Sequence, residues 1–489
     1  MSIKILNQQQ FNGGISISDK IGGQGAYAFS QGIDIHQDPT HFGLQIAPTK
    51  VSGSTVTDNI KWIVSGAPYD TNKYFYGDSG KIYQETAGGS WSVLRTVASS
   101  HGQGMCVYQN YLYYVQDSQI GRYGPLSGGA AFTDAWQTGL TNTSATGFAP
   151  CTAFSNLLIV GHGNIISTWD NTVWTLSKIT LIPGHNVRSF SSLHEYVAFG
   201  TWRSTSGNIY ESEEGYVFFW DGISNTFNFF VDVPEGACNA IQNTRNTLLG
   251  IMGSTGILYQ DTLTYSNTFE KLQNFPKLKN NAWMETYPGA MNNWSGKTYW
   301  GVSNSNSTDI VRGVYEWGSI SKAFPAALNL PFIISTGNTG STVKITAVNG
   351  FGTSLYIAWN DGSTYGVDKV TKGNNYYTTG YIDTFFFDNG MMYKDKTALT
   401  LKVIHSPLTT GQSIQLGYNR NRNGFTMETA HSYSASDANP SQTRLSIPNS
   451  DGRFSEMATR VVLGSNGSTT PQIYSIGMIF DDLDNEGDF

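Results

Sequence analysis

Four carboxylates recur in similar settings along this chain, and paired carboxylates are what glycoside hydrolysis requires. Asp170, Asp221 and Glu316 follow Trp169, Trp220 and Tyr315, and Asp368 closes the run Tyr365-Gly366-Val367. A glycosidase needs two such groups several ångströms apart, one as acid and the other as base or nucleophile. Recurrence argues against that use here. Catalysis singles out unlike positions that converge on one channel mouth, whereas a group repeated from copy to copy reads as turn or strand-end chemistry. The sialidase-type repeat Ser-x-Asp-x-Gly-x-Thr-Trp has no full match, and Trp169-Asp170-Asn171-Thr172-Val173-Trp174 is only an echo of it. No catalytic residue is assigned, and the chain is expected not to be an enzyme.

Metal and cofactor chemistry find no better footing. His162, in Gly161-His162-Gly163, stands apart from the other seven histidines, none of which pairs at i, i+4 or sits in a carboxylate cluster. A hydrogen-bonding or surface role is expected for it. There is no phosphate-binding Gly-x-x-x-x-Gly-Lys loop, and no Gly-x-Ser-x-Gly in a strand, sharp turn and helix context. No metal site and no cofactor are expected. Trp91, Trp136, Trp202 and Trp294 are expected in polar loops, where indole faces would stack on sugar rings or on a neighbouring subunit, or else cap the edges of blades.

The elements that must carry these residues announce themselves by repetition. Seven times between Tyr74 and Asp368 an apolar triplet with a small residue is followed by a polar loop and an apolar-aromatic pair. The copies begin at Tyr74, Leu112, Leu158, Val197, Gly250, Tyr299 and Leu355, with second halves at Lys81, Gly121, Ser167, Phe218, Ile257, Gly313 and Tyr365. Spacings of roughly 40 to 55 residues suit four-stranded blades that must stack radially to bury their faces. Each phrase is then the middle hairpin of one blade of an all-β propeller with about seven blades. Cys106, Cys151 and Cys238 each lie shortly before a phrase and are expected on innermost strands as packed thiols. Their odd number and the lack of any Cys-x-x-Cys or adjacent His argue against a disulfide or metal site.

Composition agrees with an all-β particle. Aromatic residues are 13%, charged residues also 13%, and there are 54 glycines among 489 residues; ordinary soluble chains carry about 25% charge. A net charge of -7 and the absence of any basic run argue against a nucleic-acid partner. No stretch approaches the roughly 18 apolar residues of a membrane span, and the N-terminus lacks a secretory pattern, so the expectation is a soluble protein made in the cytoplasm. Without secretion, Asn142-Thr143-Ser144 and Asn293-Trp294-Ser295 are chance matches to the glycosylation triplet.

Three regions are expected. Residues 1–60 are rich in Gly, Gln, Asn and Ser with brief alternating pieces, and are expected to form an extended arm that cannot fold alone but can supply a strand closing the ring. Residues 61–375 hold the propeller. Residues 376–489 form a β-sandwich, read from the clean alternation of Ala398–Val403, Ser413–Leu416, Thr443–Ile447 and Ile476–Phe480, with an acidic tail from Asp481 to Glu486.

This order of arm, propeller and sandwich resembles tailed-bacteriophage virion proteins of the tail or tail-fibre region. The residues that carry the likeness are Gln31-Gly32-Ile33-Asp34-Ile35, Pro39 and Leu44-Gln45-Ile46-Ala47-Pro48 near the start. Gly380-Tyr381-Ile382-Asp383-Thr384, Lys394-Asp395-Lys396 and Ser413-Ile414-Gln415-Leu416-Gly417-Tyr418 carry it near the end. The resemblance implies a structural subunit of the virion, acting as an assembly scaffold, with other copies of itself and other virion proteins as partners. It carries over no catalytic residue. A carbohydrate-binding adhesin for the host surface is the alternative, and a propeller glycan hydrolase the third reading.

Overall fold

The computed structural model describes every residue except 1, 17, 21, 98–100, 142–146, 208, 245–246, 254–255, 262–267, 276–282, 307–309, 322, 392–393, 433–440, 448–451 and 483–489. The Asn142–Ser144 triplet and the acidic tail beyond Asp482 therefore lie outside the described residues.

Seven four-stranded antiparallel sheets follow one another along the chain and form a seven-bladed β-propeller. Blade 1 is Ile60–Ser65, Lys73–Gly77, Lys81–Glu85 and Trp91–Thr96, and blade 2 is Gly104–Tyr108, Tyr111–Gln116, Gln119–Gly124 and Ala131–Thr138. Blade 3 comprises Cys151–Phe154, Leu157–His162, Ile165–Trp169 and Trp174–Thr180; blade 4 comprises Asn186–Leu193, Tyr196–Trp202, Tyr216–Trp220 and Phe229–Asp232. Cys238–Thr244, Thr247–Met252, Ile257–Asp261 and Glu270–Gln273 make blade 5. Met291–Trp294, Lys297–Gly301, Val314–Gly318 and Ala327–Phe332 make blade 6. Blade 7 takes Val343–Phe351, Ser354–Asp361 and Thr364–Thr371, and its fourth strand is Thr49–Lys50 from the other end of the chain.

The seven repeated phrases fall on the second and third strands of the seven blades, so the period read from the sequence is the period of the fold. Where first and second strands of blades 2 and 3 meet, Gln109-Asn110 and Ser155-Asn156 both take positive φ, the conformation that matches a two-residue hairpin to strand twist. The third-to-fourth pairing carries a register shift at one equivalent place in blades 1, 2, 3 and 5, at Ile82, Ile120, Ile166 and Leu258. Bulges of this kind increase the local twist.

First strands of successive blades touch one another all the way round, from blade 1 to blade 7 and from blade 7 back to blade 1. The ring is therefore closed, with the first strands lining its axis. Aromatic residues fill the wedges between blades: Tyr76 meets Tyr114 at 6.0 Å between blades 1 and 2, and Phe75 meets Tyr356 at 5.9 Å between blades 1 and 7. Closure is reinforced where Thr49–Lys50 pairs with Asp368–Lys369. The Val51 amide donates to the Val367 carbonyl at 2.9 Å, and the Lys50 ammonium lies 5.1 Å from the Trp359 ring centre.

By contacts the chain divides into two compact units, one of residues 48–314 and 334–370 and the other of residues 1–47, 315–333 and 371–489. This differs from the expected arm of residues 1–60. Strands of two or three residues cannot bury a core of their own, so the N-terminal residues complete sheets built by distant parts of the chain. In the second unit Ser2–Gln8 pairs with Ile473–Asp482 in one sheet, which continues through Lys396–His405 to Gln442–Ser446. Phe29–Gln31 pairs with Thr379–Asp383 in a second sheet, continued by Met457–Gly464, Ser413–Arg420 and Phe425–Met427. Leu401, Val403, Ile476, Met478 and Phe480 of the first sheet and Leu416, Val461 and Leu463 of the second are buried.

Candidate functional site

The four carboxylates do not share one position. Asp170 and Asp221 follow the third strands of blades 3 and 4 and cap the turn that comes next. Asp170 accepts from the amides of Thr172 and Val173 and from the Thr172 hydroxyl. Asp221 accepts from the amides of Ile223 and Ser224, the Ser224 hydroxyl and the Asn228 amide group. The Thr172 hydroxyl and the neighbouring amides hold the Asp170 carboxyl below the usual carboxylate range. At Asp221, what desolvation there is opposes ionisation, and the Asn228 and Ser224 donors outweigh it, holding the carboxyl low. An acid held this firmly ionised is a poor proton donor.

Glu316 and Asp368 lie inside their strands, because the third strands of blades 6 and 7 run on past the aromatic to Gly318 and Thr371. Both are buried. Asp368 accepts from the Ser335 amide and hydroxyl at 2.7 Å each, and burial raises its carboxyl above the ordinary value. Glu316 lies 2.7 Å from His36 Nδ1 and accepts from the Asn329 amide group at 3.2 Å. Asn329 in turn accepts from Ser30 and Tyr27 and donates to the Ile33 carbonyl. Each carboxylate is thus engaged by donors of its own surroundings, and the two settings, exposed turn and buried strand, correct the single repeat position read from the sequence.

The tryptophans are not loop residues. Trp91 opens the outermost strand of blade 1 with its ring 4.5 Å from Phe75. Trp136 lies in the outermost strand of blade 2, 5.1 Å from both Tyr113 and Trp169. Trp202 ends the second strand of blade 4 and is 3% exposed; Trp294 lies in the first strand of blade 6, is 8% exposed, and donates Nε1–H to the Gly352 carbonyl. Polar flanking residues disguised strands whose alternate side chains turn inward. Trp202 and Trp294 are buried, while Trp91 and Trp136 are half-buried with one side packed on neighbouring rings.

His162 is a buried link in a hydrogen-bond chain. The Thr141 amide donates to Nδ1 at 2.9 Å, which leaves the ring proton on Nε2, 2.7 Å from the Ser167 hydroxyl. Ser167 passes the chain on to the Leu176 carbonyl. Burial lowers the imidazole to about 4, so it stays neutral at neutral pH. Cys106, Cys151 and Cys238 lie on the first strands of blades 2, 3 and 5, free and buried. Burial pushes the Cys238 thiol up to about 12, and burial with the adjacent Cys106 thiol raises Cys151. Among the described residues no three of His, Cys, Asp and Glu gather as a metal site.

The charges that do gather lie on the propeller axis. Phe148, in the connection from blade 2 to blade 3, has Lys61 of blade 1 at 5.0 Å and Arg188 of blade 4 at 4.7 Å from its ring centre. Its ring also meets Trp62 at 6.3 Å and Tyr287, in the approach to blade 6, at 5.4 Å. A side chain that touches parts of blades 1 and 4 and the entry to blade 6 can do so only near the axis. Lys61 is paired with Asp78 at 2.6 Å, and Arg188 with Glu285 at 2.6 Å while donating to the carbonyls of Asn239 and Thr286. Gly289 passes so near the Lys61 carbonyl that a Cβ there would stand 2.1 Å from it. Both cations of this cluster are neutralised by carboxylates and both pack on the Phe148 ring, which is itself buried. The only sequence signal for it was a basic residue inside each of two apolar strands, Ile60-Lys61-Trp62 and Val187-Arg188-Ser189.

In the second unit the strand Ser2–Gln8 ends its sheet, and among the described residues its outer edge pairs with no strand. Ile3 is 60% exposed and Ile5 72%. Beneath it lies a cleft of about 370 Å³ lined by Leu6, Phe385, Phe386, Phe387, Ile476 and Met478, with Gln8 and Asp388 among its polar groups. Exposed isoleucines on an open edge are an interaction surface in kind, since such edges template further strands.

No family model matches the chain, and no curated protein matches it. Among solved structures it is similar to an extracellular domain described as that of a hybrid two-component system from B. thetaiotaomicron, at 11% identity and TM-score 0.48 over 80% of this chain and 48% of that one. A second, described as that of a one-component system from the same organism, matches at 11% identity and TM-score 0.47, over 75% of this chain and 45% of that one. A luciferin-regenerating enzyme matches at 13% identity and TM-score 0.37, over 56% of this chain and 92% of that one. The chain spans about half the length of the first two of these structures, and likenesses this distant carry no inference about chemistry.

Proposed function

We propose that this chain is a structural subunit of a bacteriophage virion, in the tail or tail fibres, where it acts as an assembly scaffold and not as an enzyme. The observation that carries the reading is the open edge of Ser2–Gln8 with Ile3 and Ile5 in solvent, set against groups elsewhere that are committed to the fold. The candidate carboxylates hold turns and strands, the candidate tryptophans pack against neighbouring rings or backbone, and Phe148 packs with its paired cations. Partners on this reading are further copies of the chain and other virion proteins. The order of N-terminal strands, propeller and sandwich, similar to phage tail proteins, supports the same assignment.

Mass spectrometry of phage particles purified from infected cells that make this chain tests it. The expected result is the chain at a fixed ratio to the major tail proteins through successive purification steps. Its loss from the particles on purification, or release of sugar from host envelope material by the purified chain, contradicts the proposal.

A further inference from the structure

We propose that Cys106 and Cys151 form a redox modification site, at which a peroxide oxidises the two thiols to a disulfide that staples blade 2 to blade 3 through their first strands. The inference does not depend on the scaffold reading.

Alternation along the first strand of blade 2 sends successive side chains into different wedges. Met105 packs with Tyr74, Tyr76 and Tyr114 between blades 1 and 2, whereas Cys106 and Tyr108 turn towards blade 3. There they join Cys151, Leu158 and Val160 in one buried cluster. The two strands are drawn together just before the thiols. The Ala149 amide donates to the Gln103 carbonyl at 2.9 Å, and the Ala149 carbonyl comes so near Gly104 that no Cβ would fit there. Two residues beyond Gly104 and Ala149, Cys106 and Cys151 face each other across the wedge, with their thiols within hydrogen-bonding reach.

The same geometry recurs between blades 4 and 5 with one sulfur missing. Cys238 opens the first strand of blade 5 as Cys151 opens that of blade 3, and its Sγ lies 3.9 Å from Ser189 Oγ on the first strand of blade 4. Cys238 is fully enclosed, while Cys106 is 8% exposed and Cys151 7%, so a small oxidant has access to the pair alone.

The chemistry balances with one hydrogen peroxide. One sulfur, as thiolate, attacks a peroxide oxygen; the O–O bond breaks, an S–O bond forms, and the departing hydroxide leaves as water with that thiol's proton. The second sulfur attacks the sulfenic acid, and the S–O bond breaks as the S–S bond forms. The hydroxide released takes the second thiol's proton and leaves as a second water. Two electrons pass from the thiols to the peroxide. Burial keeps the Cys151 thiol protonated, so closure is slow, and a reducing medium keeps the pair open. The link joins positions 45 residues apart, which restricts the unfolded chain and so stabilises the ring.

The test treats the reduced full chain with hydrogen peroxide, then counts thiols after unfolding and maps peptides by mass spectrometry. The three free thiols are expected to fall to one, with a linked peptide pair containing Cys106 and Cys151. The oxidised chain is expected to melt at a higher temperature, and dithiothreitol should reverse the gain. Cys106→Ala and Cys151→Ala should each keep their two remaining thiols and show no gain that dithiothreitol reverses. Ser189→Cys supplies the missing sulfur, and its four thiols should fall to none. Three thiols surviving in the wild type, their loss only as sulfinic or sulfonic acids, or a disulfide that includes Cys238 or joins two chains overturns the proposal. So does an oxidised chain that melts no higher than the reduced one, or a Ser189→Cys chain that keeps two thiols.

Discussion

Single residues in this protein carry structural duties that resemble catalytic ones until their partners are counted. His162 is the clearest case, since its neutral ring both accepts from Thr141 and faces the Ser167 hydroxyl. Its folded value of about 4 lies below the ordinary 6.5. The ring's contribution to stability is therefore complete above pH 6.5, and it is lost as pH falls from 6.5 towards 4, where the unfolded chain takes up a proton that the fold refuses. The loss amounts to about 3 kcal/mol. Denaturant unfolding of the wild type and of His162→Gln at pH 7 and pH 4 checks this: the wild-type advantage should shrink by about that amount, and a pH-independent difference contradicts it. The turn carboxylates give a second test. Asp221→Ala should cost about 1 kcal/mol, the scale of a lost capping interaction, measured by the same unfolding. The thiols give a third, with all three reacting slowly with a thiol reagent in the native state and quickly once unfolded.

At the scale of elements, the closing pair decides whether seven blades make a ring. Val51→Pro removes the amide that donates to Val367 and should cost about 1–3 kcal/mol. Hydrogen exchange should then show lost protection at Val367–Lys369 before any other blade is affected; protection lost evenly around the ring contradicts a specific role for Thr49–Lys50. Phe148→Ala opens a cavity on the axis between Lys61 and Arg188 and should cost about 3–5 kcal/mol. These elements also show what was legible in the sequence. The repeated phrases placed the middle hairpin of every blade, and the cysteines marked three first strands, because period and burial leave direct traces in residue type. The clean alternation of Ala398–Val403 and Ile476–Phe480 did the same for the sandwich. A ring-closing strand was expected from residues 1–60, but that it is Thr49–Lys50, and that Ser2–Gln8 joins a sheet, could not be read, since what fixes these strands is a partner more than three hundred residues away. Trp91 and Trp136 were misplaced because outermost strands are flanked by polar residues on both sides. The axial cluster was hidden because Lys61, Phe148, Arg188 and Glu285 come from four separate stretches that only ring closure brings together.

For the whole molecule, the N-terminal residues tie together parts of the chain that are far apart in sequence: one segment closes the propeller, and two others complete the two sheets of the second unit. Their removal should therefore disrupt the fold instead of merely detaching an arm. Electron cryomicroscopy of particles assembled with and without this chain tests the central claim most directly. The account predicts density for a seven-bladed ring repeated in fixed symmetry on the tail of complete particles, and defective tails when the chain is withheld. Tails of normal architecture from cells lacking the chain, with no such ring in particles from cells that make it, would contradict the account.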